Sequence, residues 1–295
     1  MIKHSIHSTN KELNSYWRCS LINSSITQKY LVLGHNGFLG RNISSSLVKN
    51  GNRVFSPPTR ITLENLERVA EQYFTNDTII VNCIASGVTP NSGGKFSDNY
   101  ANAKLSEGLL EFFTKSNSHR FIQFGTVYEI DKDVNTLKDR VSYVNSKVLG
   151  SQICKNYAEA DKRIKLIYLP TVLNHNQPEG RFFIDFIESS FDNLPFTIKY
   201  PDSKIKVVVY ESFFKCICKV IDSLEESIYI LSPDATMTVV EFSKLLNKLL
   251  TKNGYRPVKV LVNGTHQIDN NEIEFDDVFV RNIEEMIFTV AGRNR

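Results

Sequence analysis

The chain has 295 residues, 41 % hydrophobic and 23 % charged, ordinary globular usage that argues against disorder. Its 35 Lys and Arg face 32 Asp and Glu, a net charge of +3 with no basic block, so nucleic acid is a poor partner. The longest near-apolar runs, such as Thr78–Ala85 and Val207–Tyr210, fall far short of the ~18–20 residues of a membrane span.

Residues 1–29 are polar, with one apolar stretch around Tyr16, Trp17 and Leu21 and no secretory-signal core; they are expected to extend outside the main fold. Lys29–Leu33 predicts a strand leading into Gly34. A helical pattern runs from Phe38 to Asn50, where Asn50-Gly51-Asn52 gives a C-cap and turn. A second strand at Arg53–Ser56 stops at Pro57-Pro58. A helix at Leu63–Phe74, a buried strand at Thr78–Ala85 and a loop at Gly87–Gly94 follow. Next come a helix at Asn99–Lys115, a strand at Arg120–Phe124, a helix at Tyr143–Glu159 and a strand at Ile164–Leu169. Beyond Pro170 the pattern is less regular, with helices at Phe182–Phe191 and Glu211–Leu224 and strands at Lys206–Tyr210 and Ile228–Leu231. Thr238–Thr251 opens with a capping-box spacing, Thr238 followed by Glu241.

Short apolar strands alternating with helices indicate βαβ units and a parallel sheet covered on both faces. The predicted fold is α/β, a Rossmann-type doubly wound parallel sheet with a smaller C-terminal α/β substrate lobe. The dinucleotide-binding domain is expected at 30–170, with 204–231 returning to it; 171–203 and 232–295 form the lobe. Five cysteines at irregular positions suggest free thiols in a reducing compartment, hence a cytoplasmic location. Cys216 and Cys218 lie two apart on a helical stretch and face different ways, and the six histidines show no ligand spacing, so no metal is expected.

Gly34-His35-Asn36-Gly37-Phe38-Leu39-Gly40 places three glycines in threes between a strand and a helix. Gly34 allows the tight turn, Gly37 lets backbone approach a pyrophosphate, and Gly40 lets the helix pack close to the sheet. NAD sites usually carry an acid at the end of the second strand, whereas a 2′-phosphate prefers a cation and hydroxyls. Ser56-Pro57-Pro58-Thr59-Arg60 has no acid, and Arg41 adds a charge just past the third glycine, so NADP(H) is expected over NAD(H). A solvated surface arginine is nearly as good a reading of Arg60 alone.

Tyr143-Val144-Asn145-Ser146-Lys147 sets a phenol and an amine at i and i+4, on one helix face. An ammonium beside the phenol favours phenolate, giving a general acid or base usable near neutral pH. Thr126, just past the strand Arg120–Phe124, would lie at a carboxyl strand end and could orient the reacting oxygen; a turn threonine is the plainer alternative.

Together these residues resemble the extended short-chain dehydrogenase/reductase family of nucleotide-sugar epimerases, dehydratases and ketoreductases, from about Tyr30 to about Asn282. Gly34, Gly37, Gly40, Thr126, Tyr143 and Lys147 fall on the family's motif positions, and Asn102 matches the asparagine opening the helix after a strand. The short interval from Thr126 to Tyr143 and the stretch Tyr168–Phe182 are similar to CDP-abequose and CDP-paratose synthases, which reduce a CDP-4-keto-6-deoxy sugar with NADPH. The resemblance implies catalytic roles for Thr126, Tyr143 and Lys147. It implies a cofactor site of Gly34, Asn36, Gly37, Phe38, Leu39, Gly40, Ser56, Arg60, Ala85, Asn102, Tyr143, Lys147, Pro170 and Val172. It also implies substrate contacts at Ser86, Thr126, Thr171, Arg181 and Phe182. Deoxysugar biosynthesis of the O-antigen kind, a nucleotide-sugar substrate and a homodimer through the helices at Asn99–Lys115 and Tyr143–Glu159 are implied as well.

There are departures. Tyr168 stands where an arginine is common, Gly125 where a serine is frequent, Asn174-His175 where glycine–proline is usual, and Tyr210-Glu211-Ser212 replaces a late acidic segment. Dehydratases place an Asp-Glu pair directly after the threonine; here Val127-Tyr128 follows, so dehydration is not expected. The expected reaction is NADPH-dependent reduction of a nucleotide-linked 4-keto-6-deoxyhexose. The alternatives are a 4-epimerase using NAD and a non-catalytic NADP-binding protein, a class that tends to lose the tyrosine or lysine kept here.

Overall fold

From the amino end the chain forms β1 (Lys29–Leu33), α1 (Phe38–Lys49), β2 (Arg53–Phe55), α2 (Leu66–Tyr73), β3 (Thr78–Asn82), α3 (Leu105–Lys115), β4 (Arg120–Thr126), α4 (Val141–Ala160) and β5 (Ile164–Leu169). It continues through β6 (Thr171–Leu173), α5 (Phe182–Phe191), β7 (Phe196–Ile198), β8 (Lys204–Val209), α6 (Tyr210–Asp222) and β9 (Ile228–Ile230). The last elements are β10 (Ala235–Thr238), α7 (Val239–Lys252), β11 (Val260–Val262), β12 (Thr265–His266) and α8 (Asp277–Arg293). The structure is a computed structural model and describes residues 27–87, 98–130, 141–223, 226–262, 265–266 and 275–293. The expectation for the first residues of the chain, and most of the loop at Gly87–Gly94, therefore lies outside the described residues. No described helix is long and apolar enough to cross a membrane.

The chain divides into two compact units. In the first, six strands pair in parallel in the order β2-β1-β3-β4-β5-β9. Every residue of β3, β4 and β5 is buried, which explains why apolar residues stand side by side on both faces, as at Ile79–Val81, Phe121–Ile122 and Leu166–Leu169. The direction of winding reverses at β1, so β1 and β3 flank the switch point where such sheets bind ligands, and the first glycine turn leaves β1 there. Asn82 and Gln123, on neighbouring strands, satisfy one another inside the sheet, Asn82 Nδ2 donating to Gln123 Oε1 at 2.8 Å. Asn82 Oδ1 then accepts the Ile84 N–H at 3.1 Å and fixes how the chain leaves β3.

Lys165 is a fully buried cation in β5, 0 % exposed. Its Nζ donates to the Glu226 carbonyl and lies 6.0 Å from the centre of the Tyr229 ring. Burial, with Arg120 and Lys162 adding repulsion, pulls its pKa down to about 8. Between about pH 8 and the usual lysine range near 10.5, the unfolded chain holds a proton here that the folded chain does not. Stability from this group thus rises with pH across that window and is lost as pH falls through 8. In Lys165→Met the thermal midpoint is expected to climb less, or fall more, than in wild type over the same interval. Parallel curves for the two proteins would exclude the effect.

The second unit carries two three-stranded sheets, β10-β8-β6 and β12-β11-β7. Its core is built on Phe183, Phe186, Leu246, Ile283 and Ile287 from α5, α7 and α8, with Phe242 beside them. The capping box of α7 forms as its spacing requires: Thr238 Oγ1 accepts the Glu241 N–H at 3.1 Å, and Glu241 Oε2 accepts the Thr238 N–H at 2.6 Å. The strand expected at Lys206–Tyr210 within the dinucleotide domain runs from Lys204 to Val209 and pairs with β6 and β10 in this unit. Tyr210 opens α6 instead, and the chain returns to the first unit at Phe213, not at 204. The strand-to-helix change has a local cause: the Asp234 carboxylate accepts the Val209 N–H at 2.7 Å and ends the ladder.

Candidate active site

At the glycine turn, Gly34 has φ +74° and its carbonyl accepts the Gly37 N–H at 2.9 Å. A side chain at Gly34 would meet the Cys83 carbonyl and the Ile84 nitrogen at 2.9 Å, so the ends of β1 and β3 close on one another here. A Cβ at Gly40 would lie 2.3 Å from the Gly34 carbonyl oxygen, which forces the helix against the turn. Gly37 is the N-cap of α1, with no capping side chain and no acid in the first turn. The leading amides of α1 therefore have no side-chain acceptor, as a diphosphate would require, and these residues fit the phosphates of a dinucleotide. Asn36 and Gly37 are exposed, and Phe38 and Leu39 half-buried. Ser56 is half-buried just past β2, and Arg60 and Arg41 are exposed.

Asn102 lies in a wide π-helical turn at Tyr100–Lys104 that leads into α3. Its side chain, expected as a cofactor contact, forms a buried strut, 1 % exposed. Oδ1 accepts the Ser86 N–H at 3.0 Å, and Nδ2 donates to the Ser86 carbonyl at 3.0 Å and to Ser146 Oγ at 2.9 Å. Ser146 in turn donates to the Tyr143 carbonyl at 2.7 Å. This chain of bonds ties the segment after β3, with exposed Ala85 and half-buried Ser86, to the first turns of α4. Gly150 completes the joint: a Cβ there would fall 2.0 Å from the Asn102 carbonyl oxygen.

Lys147 lies one turn beyond Tyr143 on α4, 7 % exposed, and its Nζ donates to the Phe124 carbonyl at 2.6 Å. Thr126, two residues further along β4 and 8 % exposed, ends the strand. The fold thus brings Lys147 to the carboxyl end of β4 beside Thr126, with half-buried Tyr143 one turn earlier on the same helix. Burial lowers the pKa of Lys147, and the carboxylate of Glu129 opposes that shift. Thr126 Oγ1 accepts a long hydrogen bond from the Tyr128 N–H at 3.5 Å, which leaves its hydroxyl proton to donate elsewhere.

Residues 30–190 match the sequence model described as the NAD dependent epimerase/dehydratase family. The chain belongs to that family. No curated protein sequence matches it. Among solved structures it resembles MoeE5 in complex with UDP-glucose and NAD, at 14 % identity and a TM-score of 0.71, over 90 % of this chain and 100 % of that one. It also resembles UDP-glucose 4-epimerase of Thermus thermophilus in complex with NAD, at 16 % identity and TM-score 0.68, covering 90 % of this chain and 99 % of that one. UDP-N-acetylglucosamine 4-epimerase of Bacillus cereus is similar at 16 % identity and TM-score 0.69, over 90 % and 97 % of the two chains.

Two of this family member's departures explain one another. Gly125 and Tyr168 are register neighbours on β4 and β5, and a Cβ at 125 would come within 2.7 Å of the buried Tyr168 ring. The ring occupies the space a serine side chain would need. Glu129 is a residue that sequence spacing undervalued: its carboxylate accepts the Thr126 N–H at 2.6 Å and caps the turn Val127–Glu129. The Thr-x-x-Glu capping-box spacing was visible at 126–129 and is the signal that finds it.

The remaining predicted residues lie in the second unit. Pro170 precedes β6, where Thr171 is half-buried and Val172 buried. Arg181 is the N-cap of α5. Phe182, expected against substrate, packs into an aromatic cluster, its ring centre 5.2 Å from Phe196 and 5.7 Å from Phe186 and from Phe242. Half-buried, it packs against the core of its unit, as its i, i+4 spacing with Phe186 favours. Among the described residues no group of three or more His, Cys, Asp or Glu could hold a metal ion.

Proposed function

We propose that the protein is an oxidoreductase acting at C4 of a nucleotide-linked hexose, and within that class an NADPH-dependent reductase of a 4-keto-6-deoxyhexose in deoxysugar biosynthesis. The observation that carries the reading is the placement of Lys147, bonded to the Phe124 carbonyl, beside Thr126 and one helical turn from Tyr143. In this reading Tyr143 gives its hydroxyl proton to the C4 oxygen, and the Thr126 hydroxyl hydrogen-bonds the same oxygen. Lys147 holds the tyrosine and a ribose hydroxyl. The dinucleotide, when bound, supplies the hydride. Arg181 is the proposed partner of the nucleotide phosphates. Elimination of water is disfavoured because Val127 and Tyr128 follow Thr126, and Glu129 is engaged as a cap.

The acid-free segment from Ser56 to Arg60 supports NADPH. Titration of cofactor fluorescence is expected to give the tighter dissociation constant for NADPH, and a tenfold tighter constant for NADH would overturn the preference. The NAD named with several similar structures favours a second reading, a 4-epimerase that oxidises and re-reduces C4. A panel of CDP-, dTDP-, GDP- and UDP-linked 4-keto-6-deoxy sugars with NADPH separates the two. Loss of the reduced nicotinamide absorbance with one of them is expected. Purified protein carrying NAD that interconverts C4 epimers without net cofactor consumption would replace the reductase reading by the epimerase.

A further inference from the structure

Glu129 follows β4 at the same end as Thr126, half-buried, with its Oε2 enclosed and the Ser151 hydroxyl acting on its carboxylate. Oε1 takes the Thr126 N–H at 2.6 Å. A neutral glutamine would serve that cap equally well, so the cap does not account for a charge at this position. The cations facing Glu129 are Lys147 and Lys155, both on α4, and the ammonium of Lys155 lies 5.3 Å from the centre of the Tyr168 ring. The groups facing Lys147 are Glu129, Cys154 on α4 and Cys83 after β3. Burial keeps both thiols protonated, pushing Cys154 up to about 12 and Cys83 higher still. Burial raises the pKa of the Glu129 carboxyl as it lowers that of Lys147, and the attraction between the two opposes both shifts. An ammonium as buried as Lys147 tends to release its proton unless a counter-charge holds it.

We infer that Glu129 is a positioning residue for the Tyr143–Lys147 pair, its Oε1 fixing the Thr126 turn and its buried charge keeping Lys147 protonated. This rests on the proposed roles of Tyr143, Lys147 and Thr126. Glu129 reaches the reacting oxygen only through those neighbours. Removing its charge lowers the pKa of Lys147.

The test is Glu129→Gln, which keeps shape and an acceptor for the Thr126 N–H, compared with wild type and with Glu129→Asp. The titration of Lys147 is followed by NMR of ε-carbon-labelled lysine, its resonance assigned from the signal missing in Lys147→Met. Glu129→Gln is expected to lower that pKa by roughly half a unit or more. Glu129→Asp should restore part of the shift. An unchanged lysine titration in folded Glu129→Gln would overturn the inference and leave Glu129 a cap alone. Should that variant not fold, wild type decides: the Lys147 resonance must show an inflection where the Glu129 carboxyl titrates, and its absence overturns the inference. The titration needs neither substrate nor cofactor, so an inactive protein would count against the proposed reaction and not against this result.

Discussion

Tyr143→Phe is expected to lower turnover at least ~100-fold, the low end of what a positioned general acid contributes, with dinucleotide binding close to wild type. The substitution removes one hydroxyl and keeps the ring. Two anchors of the local scaffold do not use that hydroxyl: Ser146 holds the backbone carbonyl of Tyr143, and Lys147 is anchored on the Phe124 carbonyl. The loss should therefore appear in kcat, measured with the sugar the panel identifies, while the cofactor dissociation constant stays put. Near-normal turnover would remove Tyr143 from the mechanism.

Gly150→Ala is expected to cost the largest share of stability of any single added methyl, about 3 kcal/mol or more, at the upper end of overpacking effects. The added Cβ would meet the Asn102 carbonyl oxygen at 2.0 Å, and a backbone atom in a hydrogen-bonded turn cannot rotate aside. Either α4 lifts off the π-helical turn or the Asn102 strut between Ser86 and Ser146 breaks, and both move Tyr143 and Lys147. Gly108→Ala is the control. Its Cβ would meet the ends of the flexible Leu66 and Leu63 side chains, at 2.8 and 3.1 Å, and these can give. Urea unfolding of both variants measures the difference. A Gly150→Ala protein no less stable than Gly108→Ala would show that the joint is loose.

The βαβ half of the molecule was legible because its strands are covered on both faces. β1 and β5 keep the expected limits, Lys29–Leu33 and Ile164–Leu169, and α1 stops where Asn50-Gly51 ends it. In the second unit α5 spans Phe182–Phe191 as its apolar spacing requires. The strands β6, β7 and β11 are three residues each, too short to display alternation, and they owe their form to partners distant in sequence. The last helix was readable and passed over: Asp276 caps it, accepting the Val278 and Phe279 N–H groups at 2.9 and 3.1 Å. Phe279, Ile283, Met286, Ile287 and Val290 then recur at helical spacing. At the site, spacing alone picked out Gly34, Gly40, Tyr143 and Lys147. It could not reveal that Asn102 is consumed as a strut, that Gly150 exists for a carbonyl on another element, or that Gly125 and Tyr168 share one volume. Each of those depends on which segments meet across the sheet.

The central claim is hydride delivery to a sugar carbonyl at a site organised by Tyr143, Lys147 and Thr126. It is tested most directly by mass spectrometry and NMR of the product formed from a nucleotide-linked 4-keto-6-deoxyhexose and NADPH deuterated at the transferring ring position. The account predicts one deuterium, bound to C4 of the product, and its near-complete loss in Tyr143→Phe. A product without deuterium at C4, or no product from any sugar of the panel with a folded, dinucleotide-bound protein, would contradict it.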